Sequence, residues 1–524
     1  MSQVAAWLKG SRAYSLVERC GEIWRQSLTY QSFKGICRII SQSRTARWLS
    51  SYFHIRFRPR QAFVYRTLRK FQKRLVPLRM RVAGAVRAST VWRIAEGSFF
   101  LRMLHRLLIP LSVFFVFIDE IGRDIFGDMS LFGIWDEIYL ILCVLCLVTE
   151  RIMGRNVPPL TVTPMDMPIF LLSSVSFFLF LTNSRYPDIG LEGMRLIVQF
   201  TFWFYVFSRY LDSCRKSDMM TDGMILAGGI LGIHGILQFM TGVEMPSNWM
   251  DAAEGRGSVR VFSIVGSPNI LGSLMVQIIP LALARFLQSH AKGWRKAFYL
   301  SLMASMAACL ILTLSRGAWL GLAAALTVFC IAWNPGWLAG MALLGGLALL
   351  VPQVYSRISY MLSEEYIRSS ARGGRLLRYR TGWKMFMDNF WTGVGQGHFG
   401  GAVAMNHKEL FPDTFYMDSY WLKTAVEMGI IGLSAYFIVI WFLFVWSVRA
   451  IRTTMDRDAR LMIIGGFSGL MGIVVHNMFE NVFEVPYMVI YFWMTAAIVF
   501  CNYNRGQFRV VTGGCSRSSP IRNP

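Results

Sequence analysis

Apolar residues along this chain arrive in blocks separated by short polar stretches. The blocks occupy 106–122, 132–150, 167–184, 194–211, 222–241, 269–287, 297–314, 317–333, 336–352, 430–448, 460–478 and 485–501. A helix rises about 1.5 Å per residue, so runs of this length match a hydrocarbon layer roughly 30 Å thick. The pattern predicts an all-α, polytopic integral membrane protein with about twelve transmembrane helices. Asp119, Glu120, Arg123 and Asp124 crowd the far end of the first block, which makes it the least apolar. No 20–50-residue repeat is evident, and no pair of interrupted helices of the inverted-repeat kind.

The polar stretches set an orientation. With the N-terminus inside, the inner connections are 150–165, 212–219, 288–296, 334–335, 449–460 and the tail 502–524, mostly basic segments such as QSHAKGWRK and RAIRTTMDRDAR. The outer ones are 123–131, 185–193, 242–268, 315–316, 353–429 and 479–484. Basic residues gather on the cytoplasmic side of membrane proteins, so both termini are expected in the cytoplasm. The connection 353–429 breaks the rule, being long, basic and external by count, just before the last three spans. Within it, YIRSSARGGRLLRYRTGWK (366–384) carries five arginines, one lysine and no acid. An arginine cluster on the outer face points to a bound anion, and guanidinium forks suit phosphate. One span more or fewer would turn the same segment inward, where its arginines would only follow the charge rule.

Charge sharpens the division into parts. The chain of 524 residues has 54% hydrophobic and 16% charged residues and a formal net charge of +24. Residues 1–100 hold 20 Lys/Arg against Glu18, Glu22 and Glu96, or +17 of that total. Apolar residues such as Trp7, Leu16, Trp24, Phe33 and Trp48 interleave with the basic ones, so residues 1–105 read as a cytoplasmic region of amphipathic surface helices drawn to anionic lipid. No nucleic-acid motif is present to give that charge another meaning. Residues 106–501 form the transmembrane domain and 502–524 the tail. None of the nine cysteines falls in 353–429, and Cys143 and Cys146, a CxxC within an apolar helix, read as packing residues.

Four external segments hold candidate chemistry. In GRGSVRVFSIVGSPNILG (255–272), Ser267-Pro268-Asn269 opens a helix, with Arg256 and Arg260 just upstream of an N-terminus that favours anions. Arg316 lies in Leu314-Ser315-Arg316-Gly317-Ala318, a tight hairpin near membrane depth, where an ionisable residue is costly to bury unpaired. The alternating glycines of Thr392-Gly393-Val394-Gly395-Gln396-Gly397-His398 suit a turn or a close backbone approach. Asp418 precedes the re-entering helix, and reads equally as its N-cap or as a base at the mouth of an arginine-lined pocket. His476 and Glu480 are four residues apart and so share a helix face. His398 and His407 read as loop residues, and Trp383, Trp391, Tyr416, Tyr420 and Trp421 suit either sugar stacking or the membrane interface.

Arg260 with GSPNILG, SRGA at 315–318, GGRLLRYRTGWKMFMDNFWTGVGQGHF at 373–399 and DSYWLKTAVEMGIIG at 418–432 occur in that order. Together they resemble the O-antigen ligase and polymerase superfamily of bacterial envelope proteins over roughly 222–501. The resemblance implies an enzyme of the cytoplasmic membrane that takes glycan from an undecaprenyl-diphosphate-linked donor and transfers it to a hydroxyl on the outer face, with no cofactor and no metal. It implies that Arg260, Arg316 and Arg375 grip the diphosphate, with Arg380 a further candidate, and that Asp418 is the catalytic base. Asn269, Glu427, His476 and Glu480 are candidate substrate contacts. Ligases of the family carry a His-Asn pair where the external connection meets the next helix. Aligning on Glu427-x-Gly429 puts Asp418-Ser419 there, which favours a polymerase-like member. A ligase using a different acceptor and a transporter or flippase of lipid-linked oligosaccharide are the alternatives. The implied partners are the undecaprenyl-diphosphate-linked oligosaccharide, anionic lipid and other polysaccharide-assembly proteins. Nucleic acid is not among them.

Overall fold

The computed structural model describes residues 77–511, apart from 78–79, 91–96, 128–132, 154–162, 244–259, 289–292, 351, 362 and 373. Most of the basic 1–105 region, Arg256 and the end of the tail lie outside the described residues. From Phe99 onward the described chain is a succession of helices, and no strand occurs among the described residues. In order they are α1 (Phe99–Leu111), α2 (Phe115–Phe126), α3 (Trp135–Met153), α4 (Asp166–Asn183), α5 (Pro187–Tyr210), α6 (Cys214–Met240), α7 (Pro268–Leu287), α8 (Gly293–Leu312) and α9 (Arg316–Trp333). After them come α10 (Trp337–Ala348), α11 (Pro352–Met361), α12 (Glu364–Arg372), α13 (Arg375–Asp388), α14 (Ala402–Asn406), α15 (Tyr420–Thr453), α16 (Arg457–His476) and α17 (Pro486–Val511).

Each of the twelve apolar blocks falls on helix, and eight helices among the described residues are long and apolar enough to cross a membrane: α4, α6, α7, α8, α9, α15, α16 and α17. The protein is therefore an all-α, multi-pass membrane protein. The first block is divided between α1 and α2 by a 3-10 turn at Ser112–Phe114. The ninth forms only α10, whose 12 residues span about 18 Å, short of a full crossing.

Helix α7 lies at the centre. Nearly every residue from Pro268 to Arg285 is buried, as expected of a helix apolar on all sides. It packs against α6, α8, α9 and α16, and α16 in turn packs against α9 and α17. The approach of α16 depends on small residues. A Cβ on Gly469 would collide with the Gln277 carbonyl, and one on Gly472 would lie 2.7 Å from Val276 Cγ1. Without hydrophobic force between helices in lipid, such close backbone contact is what packs them.

The segment 353–429 is mostly helical rather than an extended loop. It builds α11 to α14 and the first nine residues of α15, up to a break at Gly429 (φ +61°) inside that helix. A second, smaller core of Phe386, Phe399, Met417, Ala425 and Val426, flanked by Tyr379, Phe390, Phe415 and Leu422, ties α13 and the following turn to the start of α15.

Candidate functional site

Helix α13 carries Arg375, Arg378, Tyr379, Gly382 and Phe386 along one stripe, the spacing that places side chains on a shared face. Phe386 is buried in the small core, and a Cβ on Gly382 would meet Leu422 at 3.2 Å, so the stripe lies flat against the start of α15. That packing sets both arginines over Asp418. Arg375 Nε lies 3.4 Å from Asp418 Oδ1, and Arg378 Nη1 donates to Asp418 Oδ2 at 3.0 Å. Tyr379 fixes the backbone beside them, its hydroxyl donating to the carbonyls of Met478 (2.6 Å) and Asp418 (3.3 Å). Asp418 is not the helix cap: Ser419 Oγ accepts from Leu422 N and fills that role. The Asp418 side chain is thereby committed to the arginines.

A second segment approaches from the side of α7. Ser267 caps that helix and Pro268 occupies its first turn, as the Ser-Pro pattern predicts. The preceding stretch, with a 3-10 turn at Ser263–Val265, is held by Gln238 of α6, whose Oε1 accepts from Phe262 N (2.8 Å) and Ser263 N (2.9 Å), and by His234 with Ser263 Oγ (2.8 Å). So placed, Arg260 donates to the Thr313 carbonyl at 3.0 Å and to Asn269 Oδ1 at 3.1 Å. Asn269 Nδ2 donates onward to Glu480 Oε2 at 2.5 Å, and Arg375 Nη2 lies 3.9 Å from the same oxygen. Residues 260, 269, 375, 378, 418 and 480 thus form one connected charged network built from four separate stretches of chain.

Helix α16 ends at His476, so Glu480 lies in the turn beyond it rather than on a shared helix face; its backbone N–H donates to the His476 carbonyl at 3.0 Å, and both side chains bond to α7. His476 Nδ1 meets Ser273 Oγ at 2.9 Å, one turn from the Asn269–Glu480 contact. Gly317 allows the His476 ring to approach, since a Cβ there would lie 3.0 Å from it. Arg316 opens α9 and its guanidinium lies 5.0 Å from the centre of the Tyr366 ring of α12, a residue that also acts electrostatically on Arg375. Arg380 stands elsewhere: it is exposed, five positions after Arg375 and off the stripe that faces Asp418.

Glu427 belongs to a neighbouring network. Its Oε2 pairs with Lys423 Nζ at 2.9 Å, and Lys423 also pairs with Glu484 at 2.9 Å. Glu427 Oε1 accepts from Gly397 N (3.0 Å) and Phe399 N (3.4 Å), while Glu484 Oε1 accepts from Ala402 N (2.8 Å). All three charged groups are buried, and their partners belong to the turn 395–402. The turn needs its glycines for contact: Gly397 (φ +75°) meets Gly193 of α5 backbone to backbone, and Gly393 (φ +74°) does the same with Glu427 and Met428, just before the break at Gly429. His398 is part of this scaffold, with Nδ1 2.7 Å from the Gln396 carbonyl and Nε2 accepting from Tyr186 N at 3.3 Å. That pairing requires a neutral ring, and burial lowers its pKa accordingly.

Electrostatics distinguish the members. Burial opposes the charge on Arg375, but Asp418 and Glu480 outweigh it and hold the guanidinium above its ordinary value. Burial raises the carboxyl of Glu480 above the usual range, against the pull of Arg375. Burial pushes Tyr379 up to about 12, so it remains a neutral donor. Tyr416 lies within electrostatic reach of Asp418, Glu480, Glu484 and Lys423, between the two networks. Sequence reasoning assigned no site role to Arg378, Gln238, Lys423 or Glu484. For Arg378 a signal existed: three residues after Arg375, it shares a helix face with it, and Arg380 does not.

Residues 301–437 match the family model described as O-antigen ligase. Among curated proteins none matches the chain. The matched stretch contains Arg316, Arg375, Arg378, Asp418 and Glu427, and the fold brings Arg260, Asn269 and Glu480 to it from outside. The chain thus carries an O-antigen ligase domain on a multi-pass helical membrane scaffold, with the four ordered segments drawn together at one end of the bundle, and this domain supports the O-antigen ligase/polymerase superfamily and a part in envelope polysaccharide assembly.

Proposed function

We propose that this protein is a polymerase of cell-envelope polysaccharide. It takes glycan from an undecaprenyl-diphosphate-linked donor and transfers it to a sugar hydroxyl on the outer face of the bacterial cytoplasmic membrane, both termini lying in the cytoplasm. The observation that carries this reading is the convergence of Arg260, Arg375 and Arg378 with Asp418 and Glu480 at one end of the bundle.

The chemistry follows from that arrangement. The acceptor hydroxyl attacks the anomeric carbon, its oxygen forms the new glycosidic bond, and the bond from that carbon to the diphosphate oxygen breaks with the electron pair leaving on undecaprenyl diphosphate. Charge develops on the leaving group, and preorganised guanidinium groups stabilise it by about 3 kcal/mol per lost donor in comparable sites. Asp418 accepts the hydroxyl proton, a contribution of roughly 10²–10⁴-fold. Arg316 and Arg260 flank the diphosphate, Asn269 and Glu480 orient the arginines, and His476 and Glu427 hold the surrounding helices and turn. The acid at Asp418, where ligases of the family carry His-Asn, favours polymerisation over ligation.

Purified protein in liposomes given a lipid-diphosphate oligosaccharide tests this. Longer lipid-linked glycans are expected. Transfer only to a separate acceptor makes the protein a ligase, and a change of sidedness without new bonds makes it a flippase. Arg316→Ala and Asp418→Asn are expected to insert normally and to lose chain extension, the second by at least about a hundredfold in turnover.

A further inference from the structure

The resemblance assigns Arg378 no role, and the geometry points to one. We propose that Arg378 is a second phosphate ligand beside Arg375, and that Asp418 holds both arginines until the donor's diphosphate displaces it, which frees the carboxylate to take the acceptor's proton. This rests on the polymerase reading above and extends it.

Both oxygens of Asp418 are engaged in the structure, Oδ1 with Arg375 and Oδ2 with Arg378. Held in this way, neither oxygen is free to meet an acceptor hydroxyl. Access is graded in the useful direction. The Arg375 and Arg378 side chains are 37% and 38% exposed, whereas that of Asp418 is 9% exposed. An arriving diphosphate therefore meets the guanidinium groups first, with more acceptor oxygens and more charge than the carboxylate it replaces. Glu480 is not stranded by the exchange, because it keeps Asn269 at 2.5 Å.

When the glycosidic bond transfers, the departing monoester gains one negative charge, which Arg375 and Arg378 are placed together to meet, and the proton moved from the acceptor hydroxyl to Asp418 removes one negative charge beside them.

The test uses the full chain in lipid nanodiscs and undecaprenyl diphosphate as the probe, with binding and chain extension both measured. Asp418→Asn is expected to bind the probe about tenfold more tightly while losing turnover, because the competing anion is gone. Arg378→Gln is expected to bind about tenfold more weakly, and Arg378→Lys to recover part of that loss, since it restores charge without the planar fork. Unchanged or weaker binding by a folded Asp418→Asn protein overturns the exchange, and full binding by Arg378→Gln removes Arg378 from the site. If the wild-type protein itself does not bind the probe, the polymerase reading falls and takes this inference with it. If it binds and extends chains, a negative result in the variants leaves that reading intact.

Discussion

Helix α7 carries a charged cluster near each end, and the two differ in one telling way. At its C-terminal end Arg285 is closed in: its side chain is 5% exposed, pairs with Asp218 at 3.1 Å and Asp222 at 2.9 Å, and donates to Gln288 Oε1 and the Asp218 carbonyl. Sixteen residues earlier, about 24 Å along the axis, Asn269 joins a cluster whose arginines at 375 and 378 are more than a third exposed. The ion-pair chemistry is the same in both. An arginine enclosed and charge-paired inside the protein is part of the framework, whereas arginines left partly open, held by carboxylates from other segments, keep capacity for another anion.

Substitutions can set the two ends apart. Arg375→Ala is expected to reduce chain extension at least about a hundredfold, the loss typical when one charge-stabilising donor is removed, with little change in thermal melting in detergent. Extension near the wild-type level would deny the cluster around Asp418 its special status. Arg285→Ala is expected to do the reverse, lowering the melting temperature because it removes a buried side chain together with its pairs to Asp218 and Asp222, whose own 36% and 45% exposure leaves those pairs partly screened by solvent. The yield of folded protein falls while activity per folded molecule is retained, and a normal melting temperature would show that the cluster around Arg285 is not structural. A subtler difference lies in pH. Burial raises the folded-state pKa of Glu480, so its favourable contribution belongs to the protonated form. That contribution is complete below the unfolded carboxyl's range and is lost as pH rises through the raised folded value. Glu480→Gln should therefore gain melting temperature on the wild type towards alkaline pH, and a gap that stays constant with pH would contradict the shift. The smallest effect is expected at the scaffold. Gly397→Ala places a Cβ against α5 at a positive φ, at a cost of about 1–2 kcal/mol. Limited proteolysis should find the 395–402 turn loosened, and unchanged protection would mean that the contact with Gly193 is dispensable.

Much of this molecule could be read in one dimension because hydrophobic burial in a bilayer acts on whole segments. Every apolar block became helix, Ser267-Pro268 opened α7, and the ordered arginine motifs indicated the family before any geometry was known. The segment 353–429 was harder. Its basic composition was visible, but its helices α11 to α14 are short, and the small core that orients α13 draws on Met417, Ala425 and Val426, some forty residues away.

What the sequence determined by itself was the helical membrane scaffold, the family resemblance and the general location of the charge, since hydropathy and local capping depend on neighbours in the chain. The tertiary structure alone decided that Arg378 rather than Arg380 faces Asp418, and that Glu427 is enclosed by a glycine turn while Glu480 meets Arg375. Each of those outcomes depends on the register of one helix against another, and a rotation of half a turn along a helix exchanges partners without altering the hydrophobic pattern that formed it.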